Sequence, residues 1–164
     1  MKNKTFSIQF YEAEGITQLP EDERLLVQEA NHMTENAYAP YSAFYVGAAI
    51  LLDNGEIIKG SNQENGAYPS GLCAERVAAF AASAMYPGAV MKKIAISATS
   101  ERLLPEGPVS PCGACRQVLL EYESTQQYPL KVLLAGKNGK IFIIEKIKDL
   151  LPLDFSGKYL KNNR

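Results

Sequence analysis

The sequence predicts an α/β domain in which helices pack on a five-stranded mixed sheet. Three observations carry that reading. After a first helical stretch, segments of strand and helix character follow in the order β-β-α-β-α-β-β. The chain has 164 residues, one domain's worth, and a domain of that size buries roughly 70% of its unfolded surface without disulfide staples. No internal repeat, low-complexity run or linker rich in Gly, Ser or Pro divides it.

Each element has a local cause. Phe6, Ile8 and Phe10 alternate weakly, on one side of an extended segment. Pro20-Glu21-Asp22-Glu23 is an acidic helix start, and Leu25, Leu26, Ala30, Met33 and Ala37 recur at helical spacing until Pro40. Tyr45 to Leu52 is a strand by apolar richness, joined by an Asp53-Asn54-Gly55 turn to a second strand, Glu56 to Gly60. Cys73 to Met85, rich in Ala, Glu and Arg, is a helix ending before Pro87-Gly88. Ile94, Ile96 and Ala98 mark a strand over Met91 to Thr99. Pro111 opens a helix from Cys112 to Tyr122, where its missing N–H costs nothing. Lys131 to Ala135 and Ile141 to Ile144 are strands around a Gly136-to-Gly139 turn, and Ile147 to Leu151 is a short helix.

Composition excludes several classes. Hydrophobic residues make up 46% and charged residues 21%, which rules out a disordered tail, a collagen-like fibre and a coiled-coil rod. Val77 to Tyr86 is interrupted by Ser83, and no apolar span approaches the ~20 residues that cross a bilayer. Met1-Lys2-Asn3-Lys4-Thr5 leads into alternation and not into a continuous apolar region, so no secretory signal is expected. The net charge is −1, from 17 Lys and Arg against 18 Asp and Glu. Without clustered cations a polyanionic partner is not expected. The expectation is a soluble, cytoplasmic protein with no nucleic-acid polymer and no membrane as partner. Lys158, Lys161 and Arg164 read as a solvated, weakly basic tail.

The cysteines are Cys73, Cys112 and Cys115, an odd number that does not suit a secreted disulfide framework. They could be inert buried thiols, a redox pair with a bystander, or three ligands of one metal. Cys73-Ala74-Glu75 and Pro111-Cys112-Gly113-Ala114-Cys115 each fall at an expected helix start. Free N–H groups and the positive end of the helix dipole there favour thiolates, the form that binds metal. Three convergent thiolates favour zinc and leave its fourth position to water, as in a catalytic centre. A closed structural site would need a fourth ligand; His32, the sole histidine, reads instead as a surface residue of the first helix. A ligand-x-Glu motif followed by Pro-Cys-x-x-Cys is the pattern of zinc deaminases, with the Glu moving protons and not binding metal.

Several further motifs stand in order: Tyr38-Ala39-Pro40-Tyr41-Ser42-Ala43-Phe44-Tyr45-Val46-Gly47-Ala48-Ala49, Asn62-Gln63-Glu64-Asn65, Cys73-Ala74-Glu75-Arg76, Ser110 to Gln117, and Leu150-Leu151-Pro152. On these the chain resembles the homotetrameric, zinc-dependent cytidine deaminases of the three-cysteine type, over about Glu21 to Leu160. The resemblance implies a cytidine-deaminase-like three-layer sandwich. It also implies one zinc ion per chain and hydrolysis of cytidine and deoxycytidine to uridine and deoxyuridine with release of ammonia. Cys73, Cys112 and Cys115 would be the metal ligands and Glu75 the catalytic acid–base.

Three thiolates overcompensate a divalent ion, so nearby positive charge is needed if water is to be acidified. Arg76, always charged, is the candidate. Asn62 and Glu64, two residues apart on an extended segment, share a face suited to the sugar hydroxyls. Phe44 would pack on the pyrimidine ring, with the Ala74 amide and Ser110 carbonyl at its polar edge. Phe155 matches the family's aromatic that reaches a neighbouring subunit's site, which would place sites at subunit interfaces.

There are departures too. Residues 1–18 form an N-terminal extension to a single domain over residues 19–164; the Cys73–Cys112 interval is longer, around Thr99 to Gly107; and Val77 stands where Thr is common. Taken alone, Arg76 and Arg116 would be surface residues, and Phe44 and Phe155 core. The competing functions are deamination of a modified cytosine nucleoside such as blasticidin S, and a non-catalytic zinc scaffold. The Glu64 of Asn62-x-Glu64-Asn65 favours the plain nucleoside.

Overall fold

The computed structural model describes residues 1–100, 102, 107–157 and 160. Strands β1 (Tyr11–Ala13), β2 (Phe44–Leu52), β3 (Ile57–Ser61), β4 (Met91–Ser100), β5 (Lys131–Ala135) and β6 (Ile141–Ile144) form one sheet in the order β1-β6-β5-β4-β2-β3. The β4–β5 pair is parallel and the other pairs are antiparallel, so the sheet is mixed. Helices α1 (Glu21–His32), α2 (Ala74–Met85) and α3 (Gly113–Gln126) flank it.

Strand periodicity sorts the layers, because alternate residues face opposite sides. Ala48, Ile50, Ile94, Ile96, Val132 and Leu134 join the core beneath α2 and α3. Their neighbours Ala49, Ala95 and Leu133 join the core beneath α1 with Leu26, Val27 and Ala30. The result is a three-layer sandwich, α1 on one face and the pair α2 and α3 on the other.

The sheet has six strands where five were expected. The added one is β1, whose three residues bury only Ala13 and so carry too short a pattern to register. The alternation of Phe6, Ile8 and Phe10 lies just before it, and all three side chains are exposed. Phe10 does meet Phe142 of β6, with ring centroids 4.9 Å apart.

The first helix also stops earlier than its periodicity suggested. The α-helical part ends at His32 and a single 3-10 turn, Met33–Asn36, follows. The hydroxyl of Thr34 donates to the carbonyl of Asn31 at 2.8 Å, a local bond that competes with helix continuation. α3 runs four residues past Tyr122, and Ile147–Leu150 is one 3-10 turn. Most of the stretch between Thr99 and Gly107, and Lys158, Lys161 and Arg164 of the basic tail, lie outside the described residues. Among the described residues no helix is long and apolar enough to cross a membrane.

One ion network ties α1 to the sheet. The carboxylate of Glu23, only 4% exposed, accepts from Lys93 at 2.8 Å and Lys131 at 3.3 Å, and Lys93 also reaches Asp22 at 2.6 Å. The hydrogen bond from Lys93 holds the Asp22 carboxyl below its ordinary range. Burial opposes the charge on Lys93, but its two carboxylate partners outweigh that and raise it.

Lys93→Met leaves Glu23 with Lys131 alone and is expected to cost about 1.5–3 kcal/mol near pH 7, the range for hydrogen bonds to charged groups. Because Asp22 titrates lower when folded than when unfolded, its contribution is complete above about pH 4 and fades as pH falls through the folded value. Urea denaturation of both proteins across that window should show the stability gap narrowing in acid.

Candidate metal centre and active site

Cys73 and Cys112 occupy equivalent positions: each is the residue that caps the N-terminus of a helix, α2 and α3 respectively, in extended backbone conformation. Neither side chain makes a capping hydrogen bond, so both sulfurs are left to other uses. Cys115 lies in the first turn of α3. The Cys73 and Cys112 sulfurs are 3.8 Å apart and those of Cys112 and Cys115 3.4 Å apart. All three lie within 4.8 Å of one another. A tetrahedral zinc with Zn–S bonds of about 2.3 Å needs sulfurs about 3.8 Å apart, so the spacing fits the ion. Cys115 is buried, Cys73 half-buried and Cys112 exposed.

Two side chains of α2 complete the electrostatics. Arg76 Nη2 sits 3.9 Å from the Cys73 sulfur and 3.4 Å from the carbonyl of Gly71. Burial works against its charge, and the bond to Cys73 reinforces it. Hydrogen bonding from Cys115, helped by Arg76 and Cys112, holds the Cys73 thiol down to about 5 against the opposing effect of burial. Cys115 keeps its proton as the partner of Cys73, and its thiol is pushed up by that bond and by burial.

Glu75 is 4% exposed, and burial first, then the negative Cys73, raises its carboxyl above the ordinary carboxylate range. Its Oε2, together with Nε of Arg76, is a buried polar atom with no hydrogen-bond partner among the described residues. Buried orphans of this kind mark a place where a ligand or water is gripped.

These groups open onto a cavity of about 700 Å³. Of the residues expected at the site, Phe44, Asn62, Glu64, Cys73, Glu75, Arg76, Ser110 and Cys112 line it. Ala74 and Cys115, both fully buried, and Phe155, exposed at the surface, do not. The backbone carbonyl of Phe155 accepts from Gln117 Nε2 at 2.9 Å.

Asn62 has a task that sequence spacing did not reveal. Its Oδ1 accepts from Val46 N–H at 2.7 Å and its Nδ2 donates to the Phe44 carbonyl at 2.9 Å, so it extends the pairing of β2 beyond the end of β3. Glu64 is held by Ser42. That hydroxyl donates to Oε1, while the backbone N–H groups of Tyr41 and Ser42 donate to Oε2 at 2.8 and 3.3 Å. The Ser42 hydroxyl is the main reason the Glu64 carboxyl lies below its ordinary range.

Sequence reasoning assigned no role to Ser42, nor to Tyr41 and Tyr68, which meet edge-on at 6.0 Å on the cavity wall. The aromatic residues in an otherwise polar loop were the available signal.

Three convergent sulfurs at two helix starts, with a buried carboxyl beside them and an open cavity in front, have the arrangement of a hydrolytic metal centre. Residues 20–129 match the model of the cytidine and deoxycytidylate deaminase zinc-binding region, and the chain belongs to that family. It is 46% identical over 140 residues to the cytidine deaminase of Sporosarcina psychrophila, covering 85% of this chain and 95% of that protein. It is 41% identical over 137 residues to that of Halalkalibacterium halodurans, covering 84% and 96%. The crystal structure of cytidine deaminase from Burkholderia pseudomallei superposes with a TM-score of 0.69 at 39% identity, covering 80% of this chain and 97% of that one.

The seat of α2 on the sheet depends on Gly60. A Cβ there would lie 2.6 Å from both the carbonyl oxygen of Ala74 and the amide nitrogen of Ala78. Gly60→Ala should therefore push α2 outward at a cost of about 1–3 kcal/mol, as overpacking does. Elemental analysis should find less zinc per chain, since Cys73 moves with α2 and Cys112 and Cys115 do not.

Proposed function

We propose that the chain catalyses the hydrolytic deamination of cytidine and deoxycytidine to uridine and deoxyuridine, releasing ammonia. The observation that carries this reading is the three-sulfur cluster set beside the unpaired, buried oxygen of Glu75. Cys73, Cys112 and Cys115 would hold the zinc ion, and the chemistry that the ion supplies when bound is acidification of water toward neutrality. Arg76 offsets the excess charge of three thiolates, as do the two helix N-termini.

Glu75 takes one proton of the water whose oxygen bonds to C4 and passes it to ring N3. It then takes the second from the new C4 hydroxyl and delivers it to the amino group, which leaves as ammonia as the C4–N bond breaks and C4 keeps its oxygen as a carbonyl. Its burial suits that exchange, because a carboxyl that binds its proton more tightly can both accept and give near neutral pH. Phe44 packs against the pyrimidine face. The Ser110 carbonyl, on the cavity wall, meets the polar edge, where cytosine and uracil differ. Asn62 and Glu64 bond to the sugar hydroxyls: after their bonds within the fold, the carboxylate keeps unused lone pairs and the amide one further donor position.

The assembly is a homotetramer in which Phe155 completes a neighbouring subunit's site, and residues 1–18 are an N-terminal extension that adds strand β1 to the sheet of the domain formed by residues 19–164. Exposure of the Phe155 ring supports the first point. Free thiols suit the reducing cytoplasm.

Glu75→Gln should retain zinc and fold while losing turnover of cytidine by about 10²–10⁴-fold, the range for general acid–base groups. Near-normal turnover would remove Glu75 from the reaction. Assaying the wild type on blasticidin S in parallel separates the two substrates, since the proposal requires cytidine to be the better one.

A further inference from the structure

Arg116, which follows Cys115 in α3, reaches in two directions. Its Nε donates to the carbonyl of Pro111 at 2.8 Å and its Nη1 to the carbonyl of Leu150 at 2.9 Å. Pro111 is buried and directly precedes Cys112. Its carbonyl lies outside the hydrogen-bond ladder of α3, which begins with the Cys112 carbonyl accepting from the Arg116 N–H at 3.0 Å. The Arg116 side chain supplies its partner.

The other end of the bridge is anchored. Leu150 closes the 3-10 turn Ile147–Leu150, and the backbone N–H groups of Ile147 and Lys148 donate to the buried carboxylate of Glu123 at 3.0 and 3.3 Å. Gln117 extends the attachment to the carbonyl of Phe155. Of the three cysteines Cys112 is the exposed one, and irregular chain precedes it, so packing supports its sulfur least.

We propose that Arg116 is a positioning residue for the metal centre, gripping the peptide before Cys112 from a base fixed on the C-terminal segment and so keeping that sulfur within reach of Cys73 and Cys115. The inference rests on the zinc reading of the cysteine cluster. Arg116 does not line the cavity and needs no contact with substrate. The planar guanidinium spans two carbonyls at fixed angles, which a lysine ammonium does not reproduce.

The test is release of zinc from the loaded, full-length protein to the chromogenic chelator 4-(2-pyridylazo)resorcinol, at a temperature where circular dichroism shows each variant folded. Arg116→Met should release zinc about 10–100-fold faster than wild type, the usual penalty for losing an outer partner of a metal ligand. Arg116→Lys should restore the rate only in part. Leu26→Ala, a cavity in the core beneath α1 on the opposite face, should lower the melting temperature yet release zinc at the wild-type rate. Release from Arg116→Met at the wild-type rate, or equal acceleration in Leu26→Ala, overturns the proposal. If Arg116→Met does not fold, Arg116→Gln, which keeps one donor group, gives the same comparison. A wild type that holds zinc but leaves cytidine intact would defeat the proposed function and leave this inference standing.

Discussion

The structure depends on bringing two helix starts together on one face of a sheet, so that three sulfurs from distant parts of the chain share a sphere about one ion wide. Neither helix can do this alone. α3 supplies Cys112 and Cys115, α2 supplies Cys73, and the distance between them is set by how closely each helix sits on the sheet. Small residues permit that approach: Gly60 and the fully buried Ala74 and Ala78 let the backbone of α2 lie almost against β3.

The same convergence creates an electrostatic problem and its solution. Sulfurs this near one another repel as thiolates, and a divalent ion leaves one negative charge in excess. Hydrogen bonding from Cys115 first, then from Arg76 and Cys112, is why Cys73 favours its thiolate, and the Arg76 guanidinium and two helix N-termini point positive charge at the cluster. Glu75 stands two residues after Cys73, and burial together with the negative charge of that sulfur makes its carboxyl hold its proton more firmly than in water.

Much of this was legible in the chain. Long elements with clear periodicity, such as β4 and α2, were readable because tertiary packing reinforces what their residues already favour. The convergence of the three cysteines was readable because helix starts and cysteine spacing are local signals. What sequence could not show were bonds between segments far apart. Asn62 serves the backbone of β2, Ser42 restrains Glu64, and Arg116 joins Pro111 to Leu150. A residue such as Arg116 looks like a surface charge until the fold places the carbonyls of Pro111 and Leu150 within its reach. β1 was lost for a different reason, since three residues with one buried side chain do not make a pattern.

The central claim, that three sulfurs hold zinc and leave its remaining position to a light-atom ligand, is most directly tested by X-ray absorption at the zinc edge of the purified protein. The account predicts three sulfur neighbours at about 2.3 Å and one oxygen or nitrogen neighbour at about 2.0 Å, with the latter disturbed when a substrate-like nucleoside is added. Four sulfur neighbours, fewer than three, or a first shell that contains imidazole would contradict it.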